Sequence, residues 1–268
     1  MRVATGTYTG NGVDGRGITG VGFQPDMVWV FSSGNIGRLR TSSHSGDNAS
    51  IFGGAANESN SIQSIDADGF SVGTIAGVNA NGTTYYWCAF NADGNTDIAV
   101  GTYTGNGSDN RSITGAGFQP DFVLVRADST QGAIYRHSSH SGDDSDLFQA
   151  VAAGADRVQA FEADGFQVGT HGSVNQNAIT YYWFAMRSRS LVFQMGSYTG
   201  NATDDRSITG VGFQSDIVIV DNQTTTTVEA QILTDDMGSS SHDIGEANVS
   251  NTNAIQALQT NGFQIGTH

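Results

Sequence analysis

The chain has no lysine, one cysteine and two prolines in 268 residues. A single thiol excludes an intrachain disulfide framework and any zinc site built on cysteine pairs. That thiol, Cys88, lies in TTYYWCAFNA, and Phe184 holds the matching place in TYYWFAMRS. A position that takes either residue is expected to be a core hydrophobe. Without lysine, 11 arginines face 26 acidic residues, for a formal net charge of −15. Such a surface repels phosphate backbones and anionic lipids, so no nucleic-acid partner is expected. No apolar run approaches the length of a membrane-spanning helix, and no membrane insertion is expected. The sequence also lacks a GxSxG elbow, a phosphate loop, a dinucleotide fingerprint, zinc-ligand spacing and an evident pair of catalytic carboxylates, which disfavours an enzyme.

What the chain does have is repetition. GTYTGNGVDGRGITGVGFQPDMVWV, residues 6–30, returns as GTYTGNGSDNRSITGAGFQPDFVLV from Gly101 and as GSYTGNATDDRSITGVGFQSDIVIV from Gly196, a constant spacing of 95 residues. Self-similarity at a fixed period marks a modular array. The expected fold is all-β, three tandem antiparallel β-sandwich modules of jelly-roll-like form at 1–95, 96–190 and 191–268. The third is expected to lack its last strand.

Within a module, TGTYTGNG reads as an alternating strand ending in a turn, and the run after GFQPD as a central buried strand. Leu124 and Ile219 replace Trp29 in the later copies, so Trp29 is expected to fill core volume. Asp68-Gly69 and its copies read as hairpin turns. In TTYYWCAF both faces are apolar, which places this strand centrally. The junctions at 91–94 and 187–190 hold no flexible spacer, so successive modules should keep a fixed relation, as a rod or a pseudo-threefold cluster.

Three groups of polar residues are candidate sites. SSHSGDN and RHSSHSGDD place Arg40, His44 and Asp47 in register with Arg136, His137, His140, Asp143 and Asp144. These loop residues, at 41–48 and 137–144, are candidates for receptor contact. Their local Ser/His/Asp grouping does not make a hydrolase triad, whose members converge from distant parts of a fold. Asp14, Asp109, Asp204 and Asp205 are weak calcium candidates, because flexible acidic loops supply oxygen ligands but the EF-hand spacing is missing. The arginine that recurs beside them (Arg16, Arg111, Arg206) is expected to pair with a carboxylate, with Asp26, Asp121 and Asp216 as the candidate partners. No cofactor is expected beyond possible structural cations.

The block YTGNG…ITGVGFQPDMVWV…DGF.VG…TYYWCAF resembles a β-sandwich module that recurs in structural proteins of tailed viruses and their prophages. The resemblance spans nearly all of the first two modules, and Ser215 departs from it where the others have proline. It implies no catalytic residues. It does imply a virion surface component, such as a tail fibre, spike or head turret, exposed outside the cell after assembly in the host cytoplasm. Asp-rich, Lys-free composition suggests a halophilic archaeal host, where concentrated cations screen self-repulsion. A strand of the fold follows Met1 within a few residues, so no signal peptide is expected. Expected partners are further copies of the chain, other virion proteins, and a host glycan or S-layer protein. The rival readings are a cell-surface adhesin or pilus-like subunit assembling by strand donation, and a carbohydrate-binding module.

Overall fold

A computed structural model describes residues 1–92, 94, 97–223 and 228–268; Asp93, in the first expected junction, lies outside them. The first module contains β1 (Arg2–Thr9), β2 (Arg16–Thr19), β3 (Met27–Ser32), β4 (Asn35–Thr41), β5 (Asn48–Ile51), β6 (Glu58–Ser59), β7 (Ile62–Asp66), β8 (Gly69–Val72), the single turn α1 (Ala76–Asn79) and β9 (Thr84–Asn91). The second repeats most of this as β10 (Ile98–Thr104), β11 (Arg111–Thr114), β12 (Phe122–Ala127), β13 (Ile134–His137), β14 (Asp146–Leu147), β15 (Val158–Glu162), β16 (Gly165–Val168), α2 (Gly172–Asn175) and β17 (Thr180–Met186). The third has β18 (Arg206–Thr209), β19 (Ile217–Val220), β20 (Gln231–Thr234), β21 (His242–Asp243), β22 (Ile255–Gln259) and β23 (Gly262–Ile265).

In the first module a six-stranded sheet, β1-β9-β3-β4-β5-β6, faces a small sheet, β2-β8-β7. All pairings within them are antiparallel. Among the described residues no sheet takes strands from two modules. The protein is an all-β tandem array, as the repeats imply.

Strand alternation explains why β3 and β9 are apolar on both faces. Val28, Val30, Tyr85, Trp87 and Ala89 point to the module's own core, with Phe70 and Val72 of the small sheet. Met27, Trp29, Phe31, Cys88 and Phe90 point the opposite way, into a second core. The second core also receives Phe122, Leu124, Phe148 and Phe184 from the second module, and Val218, Ile232, Leu233 and Ile244 from the third. The large sheet is therefore covered twice, once by its own partner sheet and once by the neighbouring modules. Trp29 fills volume there as expected, only 2% exposed, with ring contacts to Phe52 and Phe90 at 5.2 and 5.3 Å. Cys88 is fully buried, and burial raises its thiol pKa well above the ordinary range.

Backbone contacts close the modules into a ring around that core. Gly37 N–H donates to the Ile244 carbonyl (3.0 Å), Ala133 N–H to Phe52 (2.9 Å) and Ala230 N–H to Phe148 (3.4 Å). These are corresponding positions, so each module is joined to the other two and the arrangement is the pseudo-threefold cluster, not the rod.

The third module departs from expectation by more than its last strand. Residues 192–199, which match β1, form no strand, with only an isolated bridge from Phe193 to Arg189. Among the described residues β1 bonds only to β9 and β10 only to β17, and no Tyr-Tyr-Trp strand stands beside residues 192–199. A strand edge without a partner leaves its backbone groups to water.

Candidate functional site

The two His-Ser-Gly-Asp loops leave β4 and β13 and run along the seams between modules. Arg40 organises the first. Its guanidinium lies under the loop and donates to the carbonyls of Asn48, Ile62 (3.2 Å), His44 (3.4 Å) and Gly46 (2.7 Å). Burial lowers its pKa, with Asp47 opposing. Arg136 repeats the pattern on the carbonyls of Asp144, Val158 (3.5 Å) and Gly142 (2.8 Å). An arginine in this role satisfies carbonyls that a non-regular loop would leave orphaned.

His44 fixes the loop to the neighbouring module. Nδ1 accepts from the Thr41 N–H at 3.1 Å, so the ring proton sits on Nε2 and points to Ser50 Oγ at 2.9 Å. Ser50 in turn donates to Asn57 Oδ1 at 2.6 Å. The ring stacks on Tyr182 of the second module, with centroids 3.7 Å apart and planes 10° from parallel. A hydrolase histidine must accept from its serine, whereas this one donates to it, and Ser50 is fully buried. Ser50 and His44 are structural.

The second loop builds a denser cluster at the seam with the third module. His140 Nδ1 accepts from His137 N–H at 3.2 Å, and its Nε2 stands 2.8 Å from Asp146 Oδ2. Tyr135 donates to Asp221 of the third module at 2.5 Å, while Gln223 lies 3.2 Å from His137 Nε2. Burial raises the Asp221 pKa to about 6 and lowers that of His137 to about 3.

These contacts revise several expectations. Arg40, His44, Arg136 and His137 are buried, and as receptor contacts they are replaced by a role in bracing loops and seams. The His140 side chain is also enclosed, at 2% exposure. Asp47 is exposed, and Asp143 and Asp144 are partly so. A polar cleft of about 460 Å³ opens beside the first loop, lined by Gln24, Asp26, Arg40, Ser42, Gln63 and Asn91 among others.

Asp14, Asp109 and Asp204 each accept from the glutamine at a corresponding position, Gln63, Gln159 and Gln256, at 2.9, 3.0 and 3.0 Å. Asp205 lies beside them, its carbonyl accepting from Gln264 at 3.2 Å. No group of three His, Cys, Asp or Glu stands close enough to hold a metal ion among the described residues. The expected Arg-to-carboxylate pairs are corrected as well. Arg16, Arg111 and Arg206 lie over the rings of Tyr8, Tyr103 and Tyr198 and donate to the carbonyls of Thr9, Thr104 and Thr199. Asp26 and Asp121 instead accept from the backbone N–H of Ala92 (2.8 Å) and Ser188 (2.7 Å), closing the strand ends.

The family described as "Domain of unknown function (DUF7483)" matches residues 3–102 and again residues 98–190. The chain belongs to that family. The two DUF7483 matches coincide with the two modules that hold a Tyr-Tyr-Trp strand. No curated protein and no solved structure matches the chain.

Sequence reasoning missed one position in each of the three modules, the seam residue at the end of the buried strand. Phe31, Arg126 and Asp221 occupy it, and each reaches into an adjacent module: Phe31 to His242, Arg126 to the carbonyls of Ile51 and Gly53, Asp221 to Tyr135. The available signal was a charged residue at the end of an otherwise apolar run in two copies of three.

Because His44 is held neutral, its pKa brought down to about 3 from an ordinary 6.5 by burial, the fold loses stability as pH falls from about 6.5 toward 3. His44→Gln removes this contribution. Denaturant titrations at pH 7 and pH 5 should show the parent losing on the order of 2 kcal/mol more than the variant over that interval. Equal losses would mean that the imidazole is not sheltered.

Proposed function

We propose that the protein is a non-enzymatic structural component of a virion surface, a spike, fibre head or turret, of a virus infecting a salt-loving host. The observation that carries this reading is the use made of the chemically capable side chains. His44, His140, Arg40, Arg126 and Arg136 are all engaged in joining strands, loops and modules. What remains at the surface is acidic and lysine-free, suited to concentrated salt. Three modules closed around one core make a rigid display unit, and the rims that hold Asp47, Asp143 and Asp144 are where a host glycan or envelope protein would be met. Association with further copies and with other virion proteins belongs to the same reading.

Immunogold labelling tests it. Antibody to the purified chain should decorate the surface of particles released from a host culture carrying the gene. Label confined to the envelopes of uninfected cells would instead support the adhesin reading.

A further inference from the structure

The first two modules treat the place beside the His-Ser-Gly-Asp loop differently. In the first it is the open cleft of about 460 Å³, inside the size range of small-molecule sites. In the second, Ala160 and Phe161 take the places of Ser64 and Ile65. The Phe161 ring lies over Arg136, its centroid 5.9 Å from the guanidinium carbon, and Gln119 Nε2 reaches across to the Phe161 carbonyl at 3.3 Å. Ile65 gives Arg40 no such cover, and the exposed Gln24, which matches Gln119, makes no corresponding bond. The third module has a cleft at the same place, about 270 Å³, but Leu233 stands where Arg40 does, and Ala257 and Leu258 where Ser64 and Ile65 do.

The lining of the open cleft selects the chemistry of an occupant. Arg40 lines it while only 5% exposed, and its acceptors are all carbonyl oxygens, so no carboxylate cancels its charge in contact. Its Nε is buried without an acceptor. Asp26 lines it as well. The Ala92 N–H and the Asn91 amide both donate to Asp26 Oδ2, at 2.8 and 3.1 Å, and no described residue donates to Oδ1. The amide of Gln24 and the hydroxyl of Ser42 add uncharged donors and acceptors.

An anion drawn to Arg40 would meet Asp26 and a chain of net charge −15. A metal cation finds no group of three ligands among the described residues. An apolar molecule would strip water from these polar groups and return no hydrogen bond. A neutral polyol suits both charges, because each hydroxyl donates once and accepts twice. Pro25 and Ile65 supply an apolar patch for the C–H face of a ring.

We propose that this cleft is a binding site for a neutral saccharide ring, hydrogen-bonded by the Asp26 carboxylate and the Gln24 amide. The second module, bridged by Phe161 and Gln119, does not share it. The inference rests on the glycan contact in the reading above and not on the virion itself, so particle labelling and saccharide binding can fail independently.

The full chain, fluorescently labelled and kept in molar salt, is applied to a printed array of oligosaccharides. Some end in neutral sugars (glucose, galactose, mannose, N-acetylglucosamine) and some in sialic or uronic acids. Retention on neutral ends is expected, and the free methyl glycoside of the retained sugar should displace it. Ile65→Phe, which copies a residue the second module already accommodates, should weaken retention at least about tenfold. Gln24→Ala, at an exposed position, should weaken it several-fold, and Gln119→Ala should leave it unchanged. No retention on neutral ends, a preference for acidic ends, or retention that neither Ile65→Phe nor Gln24→Ala reduces overturns the proposal.

Discussion

Arg126→Met is expected to destabilise the chain by about 3–5 kcal/mol, the cost of leaving several buried carbonyls unsatisfied at about 1–3 kcal/mol each. Arg126 has no exposure at all. Its Nε donates to the Ile51 carbonyl at 2.5 Å and its Nη2 to that of Gly53 at 3.2 Å, with the carbonyls of Ala55, Ala127 and Ser129 completing the set. Three of these acceptors belong to the first module and two to the second, so one guanidinium joins the segment after β5 to the end of β12. Burial brings its pKa down to about 10, with Asp128 opposing, and the group stays charged at neutral pH. Methionine fills similar volume but donates nothing, and the carbonyls it abandons are shut away from water. The thermal midpoint should drop by roughly 10 °C. Arg189→Met, which removes a half-exposed partner of Asp97, should change stability by less than about 1 kcal/mol. Comparable losses in the two variants would show that the Arg126 network carries no special weight.

Trp29→Ala should cost a similar amount, about 3–5 kcal/mol, but its informative feature is where the loss is felt. Trp29 lies in the first module and touches Phe52 and Phe90 there, yet its ring also packs on Phe148 of the second, 6.3 Å away. A cavity at this point weakens a core to which all three modules contribute. Hydrogen exchange followed by mass spectrometry should therefore find reduced protection in β17 as well as in β9. Were the modules independent, β17 would keep its parent protection, because no residue of that strand has changed.

Much of this architecture is legible in the sequence because it is written in alternation and turns. The period of 95 residues sets the modules, Asp68-Gly69 the β7–β8 hairpin, and the two-faced YYWCAF run the central place of β9. The reason for the second apolar face is not legible, because alternation says that both faces are covered without saying by what. Phe52 and Phe148, which line the shared core, sit outside the blocks that the three copies share. The loop residues depart from expectation for a related reason. Ser, His, Gly and Asp mark a surface loop by composition, but Arg40 and His44 reach inward from it, drawn by carbonyls and by Tyr182, a residue of the next module. Charge alone likewise pairs Arg16 with a carboxylate, whereas the fold offers it the Tyr8 ring and the Thr9 carbonyl. Contacts that depend on how modules meet leave little trace in any one of them beyond the charge that ends the apolar run at Arg126 and Asp221.

The three modules share one core and should unfold together. Differential scanning calorimetry of the full chain measures this directly. The shared core predicts a single endotherm whose calorimetric and van't Hoff enthalpies agree. Resolved transitions, or a van't Hoff enthalpy near about one third of the calorimetric value, would contradict it and make the modules separate bodies.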